Sequence, residues 1–237
     1  MGHPDVPICQ NEIDMSGKSA RGTSHMKIKS YIVEFIGTFF LVFTVCVAAV
    51  FGTAGAMAPV AIGLVLGIMI YAGGHLSGGH FNPAVTLGVC LRGKCSIKDL
   101  PFYWLAQGLA AVVAVQVAYA MVPGGKVEVA MLDGKLLPVL IAEFLFTFAL
   151  VWTVLNTATA KGTAGNSFYG LAIGGIVMVG AFTVGSISLG AFNPAVATGL
   201  AVICKLPVAM LGAYIAIQLA ASVVAAVAFK LLAGPQD

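Results

Sequence analysis

Two tripeptides, Asn82-Pro83-Ala84 and Asn193-Pro194-Ala195, hold the residue types whose spacing could act on a passing solute. Asn is a strong helix N-cap and Pro is favoured at the first helical position, so each tripeptide reads as the start of a helix. When an Asn side-chain oxygen accepts an N–H of its own first turn, its amide NH₂ is left to donate into whatever lies ahead. Two such caps facing each other set two donors at one point. Each helix N-terminus adds about half a positive charge there, so that point repels cations and protons. The approaches, Gly78-Gly79-His80 and Leu189-Gly190-Ala191, read as extended backbone whose carbonyls line a lumen. This is the chemistry of selective passage. No Walker loop, Ser-His-Asp order or His-Glu-x-x-His motif occurs, so no residue is assigned a catalytic role and the chain is not expected to be an enzyme.

The elements that must position these residues follow from composition. Of 237 residues, 59% are hydrophobic and 9% charged, with a mean hydropathy of +1.00, whereas soluble domains carry about a quarter charged residues. Such a chain uses lipid as part of its solvent. Backbone in lipid must satisfy its own hydrogen bonds, so the long apolar runs are helices and the fold class is an all-α membrane protein. Six runs, near 31 to 53, 57 to 74, 101 to 122, 137 to 160, 168 to 187 and 207 to 232, reach or approach the length of a membrane span. Two shorter pieces, Pro83 to Leu91 and Pro194 to Cys204, have about half that length and follow Gly/Ser-rich approaches. Non-helical backbone at membrane depth is tolerated only where it is buried in protein or lines a water-filled cavity.

The chain repeats itself. Glu34-Phe-Ile-Gly-Thr-Phe-Phe-Leu41 matches Glu143-Phe-Leu-Phe-Thr-Phe-Ala-Leu150, and Phe81-Asn-Pro-Ala-Val85 matches Phe192-Asn-Pro-Ala-Val196, at offsets of 109 (34 to 143) and 111 (82 to 193). Each unit holds three spans, and an odd number of crossings forces the second copy to enter from the opposite side, giving an inverted repeat. Residues 31–232 therefore form one channel domain, with repeat one at about 31–122 and repeat two at about 137–232. A flexible cytoplasmic tail is expected over 1–30, and a short C-terminal tail over 233–237. With the N-terminus inside, nine Lys and Arg residues (Lys18, Arg21, Lys27, Lys29, Arg92, Lys94, Lys98, Lys161 and Lys230) are cytoplasmic against Lys126, Lys135 and Lys205 outside, as the positive-inside rule requires. Both termini are thus expected in the cytoplasm, with the protein in the plasma (cell inner) membrane.

The run Ser77-Gly-Gly-His-Phe-Asn-Pro-Ala-Val-Thr-Leu-Gly88 resembles the first signature of the aquaporin, or major intrinsic protein, family, and Gly190-Ala-Phe-Asn-Pro-Ala195 falls where the second belongs. The likeness covers about 31–232. It implies six transmembrane helices with two re-entrant half-helices, a homotetramer with one pore per subunit, no cofactor, and passage of water and small uncharged solutes such as glycerol, urea or metalloid acids. By the same resemblance the outer constriction maps to Ile62, Ala181, Gly190 and Val196. Most members of the family carry Arg directly after the second Asn-Pro-Ala, and here Val196 replaces it. Loss of the Arg, of a His and of an aromatic implies a wider and less polar outer gate.

Glu34 and Glu143 lie in apolar spans, where an ionised group is costly. Proton coupling is one reading. Bracing is the other, favoured because each repeat has one glutamate and one re-entrant loop, and because the family's arrangement has each glutamate accept hydrogen bonds from loop N–H groups. His80 reads as pore lining or loop packing, with a pH-responsive gate as the minority reading. The glycine pairs Gly63/Gly67 and Gly170/Gly174 read as close helix packing. The cysteines lack metal-ligand spacing and no metal site is assigned, and the net charge of +3 without a basic, aromatic-interleaved stripe argues against nucleic acid. Two rival functions share parts of the pattern: a secondary transporter using midplane carboxylates, and a structural membrane protein of low permeability.

Overall fold

The computed structural model of the chain describes residues 20–132 and 134–233. Eight α-helices run through them: α1 (Ala20–Thr44), α2 (Ala58–Ser77), α3 (Pro83–Leu91), α4 (Leu100–Met121), α5 (Leu136–Val154), α6 (Tyr169–Ser188), α7 (Pro194–Val202) and α8 (Val208–Leu232). Six spans are long and apolar enough to cross a membrane: Lys27–Val50, Gly55–Ser77, Leu100–Met121, Leu136–Thr159, Tyr169–Ser188 and Val208–Leu232. The other two helices, α3 and α7, have nine residues each. At 1.5 Å per residue each reaches about 14 Å, half of a roughly 30 Å hydrocarbon core.

Packing follows the repeat. Helix α1 packs on α2 and α4 as α5 packs on α6 and α8, and each half-helix crosses to the other repeat, α3 against α8 and α7 against α4. Helices α2 and α6 close the contact between the halves. There the Cβ that Gly63 lacks would stand 2.6 Å from the carbonyl oxygen of Gly174, and one on Gly67 would stand 2.9 Å from that of Gly170. Only glycine lets the two backbones approach this closely. The buried polar side chains are gathered inside the bundle and the outer surface of the spans is apolar. Glu34, Gln107, Glu143 and Gln218 are fully buried, whereas Ile32, Ile36, Ile68, Leu105, Leu145, Leu171 and Phe182 are exposed on the spans, as a lipid-facing surface requires.

Several boundaries differ from the sequence reading. The first helix starts at Ala20, so residues 20–30, expected to belong to a flexible tail over 1–30, are helical, and residues 1–19 lie outside the described residues. Tertiary bonds hold the added turns: Lys27 Nζ reaches Asp99 Oδ1 at 2.8 Å, Ser30 Oγ donates to the Leu76 carbonyl at 2.8 Å, and Tyr31 OH donates to Asp99 at 2.9 Å. Of the C-terminal tail only Ala233 is described. Helix α7 stops at Val202 rather than Cys204 because Cys204 takes a left-handed conformation (φ 63°), the counterpart of Gly93 (φ 83°) after α3. Both α1 and α5 run on into a π-helical turn, Val45–Val50 and Leu155–Thr159, at corresponding places in the two repeats.

Candidate functional site: a lumen between two half-helices

The site is assembled from two carboxylates outward. Glu34 Oε1 accepts from Ser77 Oγ (2.7 Å) and the His80 N–H (2.9 Å), and its Oε2 accepts from the Phe81 N–H (2.7 Å) and Gln107 Nε2 (2.8 Å). In the second repeat, Glu143 Oε1 accepts from Ser188 Oγ (2.7 Å) and the Ala191 N–H (3.0 Å). Its Oε2 accepts from the Phe192 N–H (2.8 Å) and Gln218 Nε2 (2.8 Å). Two donors on each oxygen satisfy an acceptor-only carboxylate without a proton of its own. Tyr103 and Tyr214 complete the brace by donating to the Ser77 and Ser188 carbonyls, both at 2.7 Å. Sequence reasoning named the glutamates but missed the Ser, Gln and Tyr pairs. The signal was available, since 77 and 188, 103 and 214, and 107 and 218 share the repeat offset of 111.

The braced turns force Phe81 and Phe192 into left-handed backbone, φ 47° and 49°, a conformation that costs a non-glycine residue about 1 to 3 kcal/mol and persists only where the surroundings fix it. The next residue in each case is the cap. Asn82 Oδ1 accepts from the Ala84 N–H at 2.8 Å and Asn193 Oδ1 from the Ala195 N–H at 2.8 Å, with both Asn residues extended in backbone. Pro83 and Pro194 occupy the first turns of their helices. The amides are not wholly left for a solute. Asn82 Nδ2 donates to the Phe192 carbonyl and Asn193 Nδ2 to the Phe81 carbonyl, each at 2.9 Å. One N–H of each amide is thus spent crosswise, and the second remains. The bond exists because the halves meet face to face, a tertiary fact that no local pattern encodes.

Both Asn residues border a cavity of about 230 Å³. Its walls come in pairs related by the repeat: Leu41 with Leu150, Val45 with Val154, Ile62 with Ile173, Leu66 with Val177, Gly79 with Gly190, and Val85 with Val196. Ile62, Ala181, Gly190 and Val196 all lie on this wall, as do Gly79, His80, Leu189 and Ala191. Gly78 does not. It is the left-handed C-cap of α2 (φ 91°), its N–H bonded to the Gly74 carbonyl at 2.8 Å, as its repeat counterpart Leu189 (φ 67°), which does border the cavity, caps α6 with its N–H on the Gly185 carbonyl at 2.9 Å. Ala84, Pro83, Ala195 and Pro194 are buried behind the Asn residues. The His80 ring stands 5.2 Å from that of Tyr103, buried, with neither nitrogen hydrogen-bonded. Across the repeat from His80 stands Ala191, so only one of the two approaches carries an imidazole. Among the described residues no group of His, Cys, Asp and Glu could hold a metal ion.

The family described as Major intrinsic protein matches residues 21–183 and, overlapping them, 140–236. The chain belongs to the major intrinsic protein family. Similar relatives include Aquaporin NIP1-1 of Zea mays, 33% identical over 215 residues (85% of this chain and 76% of that protein). Aquaporin TIP2-1 of Zea mays is 37% identical over 200 residues (78% and 79%). Among solved structures, the aquaglyceroporin of Plasmodium falciparum superposes with a TM-score of 0.68 at 24% identity, covering 86% of this chain and 94% of that one, which shows the shared fold. As a major intrinsic protein the chain is a multi-pass membrane channel for water and small solutes. Its two half-helices, crossed Asn pair and braced loops form one continuous wall.

Proposed function

We propose that the cavity is a passive pore for water and at least one larger neutral solute, such as glycerol, urea or an undissociated metalloid acid. The observation that carries this reading is the side chain that follows the second cap. Val196 borders the lumen, and together with Ile62, Ala181 and Gly190 it forms an outer constriction of methyl groups and bare backbone. A guanidinium there would supply five donors and fill space, whereas Val supplies neither. The Asn pair at mid-depth, with two helix N-termini behind it, gives the solute its polar contact and disfavours cations. Gly79, His80, Leu189, Gly190 and Ala191 line the approaches on either side.

In the orientation that places both termini in the cytoplasm, α3 descends from the inner face and α7 from the outer face of the plasma membrane. Four copies, each with its own pore, form the assembly. Against alternating access stands the bracing of Glu34 and Glu143: each takes four donors from a re-entrant loop and its neighbours, which leaves no free carboxylate to carry a coupling proton. The test is a solute panel in proteoliposomes, scored by stopped-flow light scattering for water, glycerol, urea and undissociated boric acid. Flux of water and one larger solute down their own gradients is expected. Exclusion of every solute larger than water would overturn the reading.

A further inference from the structure

We infer that Lys205 sets the charge selectivity of this pore from its mouth, supplying the fixed positive charge that the constriction lacks. The inference rests on the channel reading of the cavity. Among the residues bordering the lumen, Lys205 is the only Lys, Arg, Asp or Glu. It lies at the end of the cavity bordered by Val50 and Ala58, where the first span ends and the second begins, outer in the proposed orientation. Its place is fixed from both sides of the residue. The Lys205 N–H bonds to the Leu200 carbonyl at 2.8 Å behind the left-handed Cys204, and the Lys205 carbonyl accepts from the Ala130 N–H at 2.9 Å. The ammonium donates to the Glu128 carbonyl at 3.0 Å. Among the described residues no carboxylate is ion-paired with it.

The simpler account is that a lysine after a half-helix complements the negative end of the helix dipole. The repeat offers an internal control. Lys94 follows α3 as Lys205 follows α7, behind left-handed Gly93 and with its N–H on the Val89 carbonyl at 3.0 Å. A role confined to the dipole belongs equally to both lysines, but only Lys205 borders the lumen. Size selection and charge selection are then separated along the pore: methyl groups at Val196 admit wide neutral solutes, and the ammonium at the rim turns back cations without narrowing the path.

The test compares Lys205→Gln, Lys205→Arg and Lys94→Gln in proteoliposomes, reading potassium leak against osmotic water permeability in the same vesicles. Lys205→Gln is expected to raise the ratio of potassium leak to water flux about tenfold, equivalent to about 1.4 kcal/mol. Lys205→Arg and Lys94→Gln should leave it unchanged. In the unmutated protein the ratio should rise from 0.01 to about 1 M ionic strength, as the screening length shrinks from about 30 to 3 Å. Water flux retained with an unchanged leak in Lys205→Gln, or an equal rise in Lys94→Gln, would overturn the assignment alone. Unmutated vesicles no more permeable to water than protein-free ones would instead overturn the channel reading on which it rests.

Discussion

Asn82 donates its side-chain amide to the carbonyl of Phe192 at 2.9 Å while its oxygen caps α3, so one side chain joins the start of one half-helix to the strained turn before the other. Asn82→Asp keeps the acceptor that caps α3 but removes the donor and sets a carboxylate against a carbonyl. Leaving that buried carbonyl unpaired costs about 1 to 3 kcal/mol, and the thermal midpoint in detergent should fall accordingly. Negative charge beside two helix N-termini should also raise potassium leak in vesicles. Unmutated stability together with unmutated leak would contradict the role given to the pair.

Glu34→Gln exchanges one acceptor oxygen for an NH₂ that must face either the Ser77 hydroxyl and His80 N–H or the Phe81 N–H and Gln107 amide. Hydrogen bonds to a charged group contribute about 1.5 to 3 kcal/mol each, so the yield of folded, monodisperse protein should drop several-fold, and Glu143→Gln should behave alike. The order of solutes by flux should not change in whatever protein does assemble, because the carboxylates do not border the lumen. Proton-dependent uptake lost in a fully assembled variant would favour a coupled transporter.

At the contact between the halves, Gly63→Ala would bring its methyl to 2.6 Å from the Gly174 carbonyl oxygen. Overpacking of this kind costs about 1 to 3 kcal/mol. Gly175→Ala is the matched control, since a Cβ there meets nothing within 4 Å. Unfolding midpoints should separate the two variants clearly, and equal midpoints would mean that α2 and α6 can move apart at little cost.

Val196→Arg restores donors and volume on the lumen wall. Stopped-flow light scattering should show the flux of glycerol or urea cut more deeply than that of water. Equal slowing of both would place the narrowest point away from Val196.

Much of this architecture was legible in the chain because it depends on local chemistry and on repetition. Asn-Pro starts, half-length apolar runs and glutamates at matching offsets each declare themselves within a few residues. What stayed hidden depends on which surfaces meet. Gln107 and Gln218 look like ordinary polar residues in apolar helices until Glu34 and Glu143 are found beside them. The crossed Asn bonds, and the early start of α1 held by Asp99, are set by partners more than sixty residues away in sequence.

The crossing of the half-helices also bears on how the chain is made. Ser222 Oγ donates to the Ala84 carbonyl at 2.6 Å, and α3 rests against α8, the last helix of the other repeat. When the first repeat leaves the ribosome, the partner of the Asn82 amide and the bed of α3 have not been translated. At about 5 to 20 residues per second, the wait for Phe192 is roughly 5 to 20 seconds. During that interval the first re-entrant segment has its glutamate brace but no floor. Insertion into the bilayer and closure of the lumen are therefore separate events in time, the second beginning only when the α7 turn arrives to exchange carbonyls with the first.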